Sequence, residues 1–141
     1  MRFDDMRTVH VKSPSFPEAA ANEPIAILPQ KVWQVLCGDE GHWRAGIFSP
    51  KAASAAECPE LEIHTCPELF VLMDGRLTLL LLKGTSVEEL PLETGKPVLV
   101  TCAHAGYCPD GAHTGRAFVV ERDIFSTEYS DRPPMAGEKA R

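Results

Sequence analysis

Short strand signals, and no helical ones, set the first limit on this chain. No fifteen-residue window carries a helical period, while runs of β-forming residues recur with turn signals every eight to twelve positions. Strands are predicted over 31–37, 42–48, 69–73, 76–82, 86–92, 98–101 and 116–125, the last being the final strong one. Gly38-Asp-Glu-Gly41 closes a first hairpin, and Asp74-Gly75 reads as the two-residue turn of a second. Many short strands of this kind build a sandwich or barrel. With 141 residues there is material for one domain and its core, not for two ordinary ones.

The ends read differently. Prolines at 14, 17, 24 and 29 and an Ala patch at 19–21 forbid a long helix over residues 1–30, which are expected to form an extended arm. Residues 31–128 would be the barrel, and 129–141 a polar tail.

Charge and hydropathy exclude several classes of partner. A net charge of −6 and the lack of a basic stripe argue against nucleic acid. The longest apolar run, Leu77 to Leu82 broken by Thr78, is too short to cross a bilayer as a helix, and residues 1–7 lack a signal-peptide core. A cytoplasmic location is expected. Five cysteines without a CxxC pair then read as reduced thiols, not as a disulfide framework.

The chemistry concentrates in Glu62-Ile-His64-Thr-Cys-Pro-Glu68 and the apolar strand after it. Glu62 and His64 share a face of an extended segment, and Pro67 bends the chain so that Glu68 can re-enter on the same side. Two carboxylates and an imidazole suit a divalent metal such as Fe, Mn, Ni or Zn. The plainer reading is a solvated rim made of Glu57, Glu60, Glu62 and Glu68. His64, Cys66 and Cys102 offer a softer zinc or thiolate site, set against the usual behaviour of free cysteine as a small buried hydrophobe.

His64-x3-Glu68-x6-Gly75 resembles the first motif of the cupin superfamily, G-x5-H-x-H-x3,4-E-x6-G, with Ala56 for the opening glycine and Glu62 for the first histidine. The stretch from Gly95 to His104 resembles the second motif, G-x5-P-x-G-x2-H-x3-N, with Thr101 for the proline and Ala103 for the glycine. Gly106 stands where strict spacing puts that motif's histidine. His104, two residues earlier on the same strand face, is the preferred ligand, and His113 in Pro109-Asp-Gly111-Ala-His113 is its competitor.

The resemblance, from about Trp33 to Phe125, implies an all-β fold, a double-stranded β-helix or jelly-roll barrel with any metal inside. It also implies metal ligands at His64, Glu68 and His104 assisted by Glu62, and a homodimer, for which the arm is a plausible exchanged segment. Metal-dependent relatives are dioxygenases, isomerases or decarboxylases of small molecules, and Glu62 would then serve as the proton-moving catalytic group. The alternatives are a non-catalytic small-ligand or metal-sensing module, or a structural protein with a filled barrel.

Trp33, Trp43, Phe70 and Tyr107 are the candidate pocket residues, although tryptophans so placed are more often core or rim packing. His10 and His42 are expected at the surface. Arg44 and Arg76 stand isolated and read equally well as surface charges.

Overall fold

The computed structural model describes residues 7–10 and 19–138. The remainder of the proposed arm, 1–6 and 11–18, and the tail residues 139–141 lie outside the described residues. Eleven strands are assigned among those described: β1 Arg7–His10, β2 Trp33–Asp39, β3 Trp43–Phe48, β4 Glu60–His64, β5 Glu68–Asp74, β6 Thr78–Lys83, β7 Ser86–Pro91, β8 Val98–Val100, β9 His104–Tyr107, β10 Arg116–Arg122 and β11 Ser126–Asp131. Among the described residues there is no α-helix, and no helix is long and apolar enough to cross a membrane.

The strands form two antiparallel sheets, ordered β1-β11-β4-β9-β6-β7 and β2-β3-β10-β5-β8. This is the all-β architecture expected from the strand pattern, in the jelly-roll form that the motif resemblance implies. Phe70 and Val100 of one sheet meet Leu79 and Leu81 of the other, with Leu77, Leu92, Ala117 and Val119 completing the core between them. Leu80 belongs to a second cluster with Leu61, Val87, Cys58 and Ala103, against which Ala52, Ala55 and Met135 pack. The unbroken leucine run of β6 is therefore covered on both faces. That is why it lacks the polar alternation of a half-exposed strand.

Two readings of the turns fare differently. β2 and β3 form the predicted hairpin, with Gly41 at φ 80 in its turn. The Asp74-Gly75 hairpin is corrected: β5 pairs with β10 and β8, whereas β6 pairs with β7 and β9, so the turn carries the chain from one sheet to the other. Gly75 has φ 66, and a side chain there would fall on the Thr114 carbonyl oxygen. Arg116 clamps Asp74 through both carboxylate oxygens. The Asp-Gly pair supplies a sharp left-handed corner, and long-range packing decides what it connects.

The chain also does not end its strands at residue 125. β11 follows, flanked by β1 and β4.

Candidate metal and ligand site

The three residues Thr65-Cys66-Pro67 take the chain from β4 in the six-stranded sheet to β5 in the five-stranded sheet. His64 ends the first strand and Glu68 begins the second, so the two meet across the interior, His64 Nε2 2.8 Å from Glu68 Oε1. β9 lies beside β4 with His104 opposite Glu62. His104 Nε2 is 3.0 Å from the same Glu68 oxygen. Glu62 Oε1 stands 3.6 Å from each imidazole. One ligand atom from each of Glu62, His64 and His104 lies within 4.8 Å of the others. All four expected residues thus converge.

The outer nitrogens of both rings are tied down. His104 Nδ1 donates to the Cys102 carbonyl at 2.9 Å, since a carbonyl can only accept. A neutral His104 must therefore point the Nε2 lone pair inward. His64 Nδ1 lies 2.6 Å from the Thr127 hydroxyl, opposite it on β11. Hydrogen-bonded outer nitrogens of this kind orient imidazoles toward a metal.

The inner atoms show what the arrangement lacks. Glu68 Oε1 and His104 Nε2 are buried and 3.0 Å apart, yet neither makes a well-directed hydrogen bond. Two lone pairs facing each other need a cation between them or a proton on the ring. The donor set, two imidazoles and two carboxylates, fits a divalent transition metal or zinc.

Without a metal the charges settle on protons. Burial opposes ionisation of His64, but the Glu62 and Glu68 carboxylates beside it outweigh burial and raise its pKa to about 10. His104 is raised in the same way, burial being outweighed by Glu68. Glu68 is held down at about 2 by the two imidazoles despite its burial.

The cluster opens on a cavity of about 290 Å³. Trp33 and Phe70 line it, as expected. Trp43 and Tyr107 do not. Trp43 is one residue out of phase with the inward-facing Arg44 and is 45% exposed. Tyr107 is three residues from His104 on one strand, hence on its opposite face, and donates to Glu89 Oε1 at 2.9 Å. His113, the competing ligand, has φ 60 and uses Nδ1 on the Ser49 carbonyl, in a separate surface cleft with Asp74 and Arg116. His10 and His42 are exposed.

The cysteine alternative finds no support. All five cysteines are unpaired thiols, and the metal-ligand cluster contains none. Burial pushes Cys58, Cys66 and Cys108 above the usual thiol value, which disfavours a thiolate.

Several cavity residues escaped the sequence reading. Thr127 and Tyr129 line it from β11, a strand with no apolar alternation to betray it. Arg44 corrects the surface-charge reading: it is only 6% exposed and faces Glu121, with Nη2 3.3 Å from Oε2. Burial and the Glu68 carboxylate push Glu121 up to about 7 even with Arg44 beside it. The available signal was parity, because Arg44 shares a face with Gly46 and Phe48. Arg76 is exposed and pairs with Asp110.

No family model and no curated protein matches this sequence. Among solved structures 17 chains match. One is hydroxypropylphosphonic acid epoxidase from S. wedmorenis in complex with fosfomycin, 15% identical over 64% of this chain and 49% of that one, with a TM-score of 0.49. The chain spans about half the length of that enzyme.

Proposed function

We propose that this protein is a cupin-like metal-binding domain that receives a small molecule at a divalent metal inside the barrel. His64, His104 and Glu68 would hold the metal, with Glu62 as the fourth, more accessible carboxylate. The observation that carries the reading is the inward-facing, poorly satisfied contact between His104 Nε2 and Glu68 Oε1, with the outer nitrogen of His104 fixed on Cys102.

When bound, a divalent metal supplies Lewis acidity to an oxygen of the ligand. The chain's own residues do the rest. The aromatic and aliphatic walls lower the local dielectric, which strengthens the charge interactions along them. Glu62, with 32% of its side chain exposed, sits where the cluster meets the opening and can hold or release a proton at its carboxylate. Tyr129 lies opposite it on β11. Isomerisation, decarboxylation and dioxygenation are the reaction classes that the cupin resemblance brings to such a site.

Elemental analysis of the purified protein tests the proposal. The wild type should take up about one equivalent of iron, manganese, nickel or zinc per chain. His104→Ala should lower that stoichiometry while leaving the β-sheet spectrum intact. Equal metal in both proteins would remove His104 from the site.

One observation favours a second reading, a metal-free ligand-binding module. Protonated His64, its pKa raised to about 10, offsets the Glu68 carboxylate without any metal, and His104 is shifted in the same direction. A protein that arrives metal-free and takes up none of the four added metals would support it.

A further inference from the structure

A second charged group faces the cavity at a place the metal ligands do not use. Arg44 on β3 lies directly across from Glu121 on β10, both turned inward. Arg44 Nη2 donates to Glu121 Oε2 at 3.3 Å. Arg44 Cζ is 4.8 Å from the Phe125 ring centre and 5.6 Å from that of Trp33. The same Phe125 ring is 5.0 Å from the His64 ring, so guanidinium and metal-ligand cluster share a wall residue.

Stability alone is a weak reason for this pair. Removing two charges from water costs several kcal/mol each, and apolar residues of equal volume often stabilise a core as well or better. A buried guanidinium beside aromatic rings keeps its donors in one plane, at its edge. Elsewhere the wall is largely apolar, with Val32, Phe48, Phe70 and Val119. A planar donor edge in such a wall recognises a planar oxyanion, whereas a tetrahedral dianion would call for more than one cation.

We propose that the cavity binds a small organic carboxylate, its carboxylate on Arg44 and its other end toward the His/Glu cluster. The placement of that other end rests on the metal reading above; the anchoring on Arg44 does not. The ligand's carboxylate takes the position that Glu121 now contests. Arg44 and Glu121 therefore act in opposite directions on affinity, which a purely structural ion pair would not do.

Calorimetric titration of the full chain with benzoate, pyruvate and the neutral isostere benzamide tests this, with metal content measured on the same samples. Wild type should bind at least one of the two carboxylates, and benzoate at least tenfold more tightly than benzamide. Glu121→Gln should tighten carboxylate binding severalfold. Arg44→Met should weaken it at least tenfold without changing metal stoichiometry. Because Arg44→Met alone strands a buried carboxylate, the double variant Arg44→Met/Glu121→Leu, checked by circular dichroism, carries the same expectation in a pair-free cavity. Three results overturn the proposal: benzamide binding as well as benzoate, carboxylate affinity indifferent to Arg44, or no carboxylate bound by the wild type. Inorganic phosphate binding more tightly than either carboxylate overturns it too. A wild type without metal whose carboxylate affinity still follows Arg44 and Glu121 would sink the metal reading and leave this one standing.

Discussion

His104 Nε2 and Glu68 Oε1 approach to 3.0 Å from opposite sheets, one from β9 and the other from the first residue of β5. Strand register places His104 beside Glu62, and the sheet-crossing turn after His64 delivers Glu68. The site is thus as well defined as the packing of the two sheets. Its chemistry depends on whether a metal or protons occupy the space between these atoms.

Metal binding must release protons. His64 has its pKa raised to about 10 in the metal-free protein, so its imidazole is charged at neutral pH, and His104 is shifted toward the charged form by the Glu68 carboxylate. A metal ligand must offer a lone pair, so uptake expels these protons. Calorimetry at pH 7.5 in two buffers of different ionisation enthalpy should show release of one to two protons per metal. Apparent affinity should rise by about tenfold per pH unit for each proton released. A buffer-independent heat would show that the cluster does not bind metal through these rings.

The metal-free protein should have its stability maximum in mildly acidic solution. Glu68 has its pKa lowered from 4.5 to about 2, so its contribution is present above pH 4.5 and fades as pH falls toward 2. His64 has its pKa raised from 6.5 to about 10, so its contribution is complete below pH 6.5 and fades as pH rises toward 10. Glu121, raised from 4.5 to about 7, loses its contribution between those values. Thermal melts of chelator-treated protein should show Tm falling by roughly 5 °C or more from pH 6 to pH 9. Saturating metal should remove most of that alkaline fall. A Tm that rises over this interval would contradict the charge assignment.

The strands that were hard to read are those that build the site. β6 and β10 announce themselves because, Glu121 apart, their inward residues are mostly leucine, valine and alanine. β11, Ser-Thr-Glu-Tyr-Ser-Asp, turns Thr127 and Tyr129 to the cavity, and β9 turns in His104. Polar residues placed inward invert the hydrophobic pattern on which strand recognition depends. The His/Glu cluster was legible for a different reason. Glu62, His64 and Glu68 are close in sequence, so parity and one proline bend sufficed. Arg44 and Glu121 are 77 residues apart, and only the β3–β10 register brings them together. The turn at Asp74-Gly75 has the local chemistry of a hairpin, and no local signal reports that its two strands enter different sheets.

Thr127→Val should loosen the metal without unfolding the domain. The Thr127 hydroxyl lies 2.6 Å from His64 Nδ1, and valine keeps its shape while removing that partner. Loss of such a supporting hydrogen bond typically lowers metal affinity by about 10- to 100-fold. Competition with a chromophoric chelator measures this, and thermal melts of the metal-free variant control for folding. Unchanged affinity would mean that Thr127 does not orient His64.

Gly75→Ala should be among the most damaging single-methyl additions in the chain. The residue sits at φ 66, where alanine is strained by about 1–2 kcal/mol. The added methyl would also fall on the backbone of Thr114 and Gly115, which cannot rotate away as a side chain can. Arg116 holds Asp74 beside it, so the corner has little freedom to shift. Gly84→Ala is the matched control: φ is 64, but a methyl there meets nothing within 4 Å. Urea denaturation should therefore show a loss of about 1 kcal/mol at Gly84 and of about 3 kcal/mol or more at Gly75. The difference between the two isolates the steric cost of the sheet-crossing corner from that of left-handed backbone alone. Equal losses would mean that the 74–76 and 114–116 segments are not locked together.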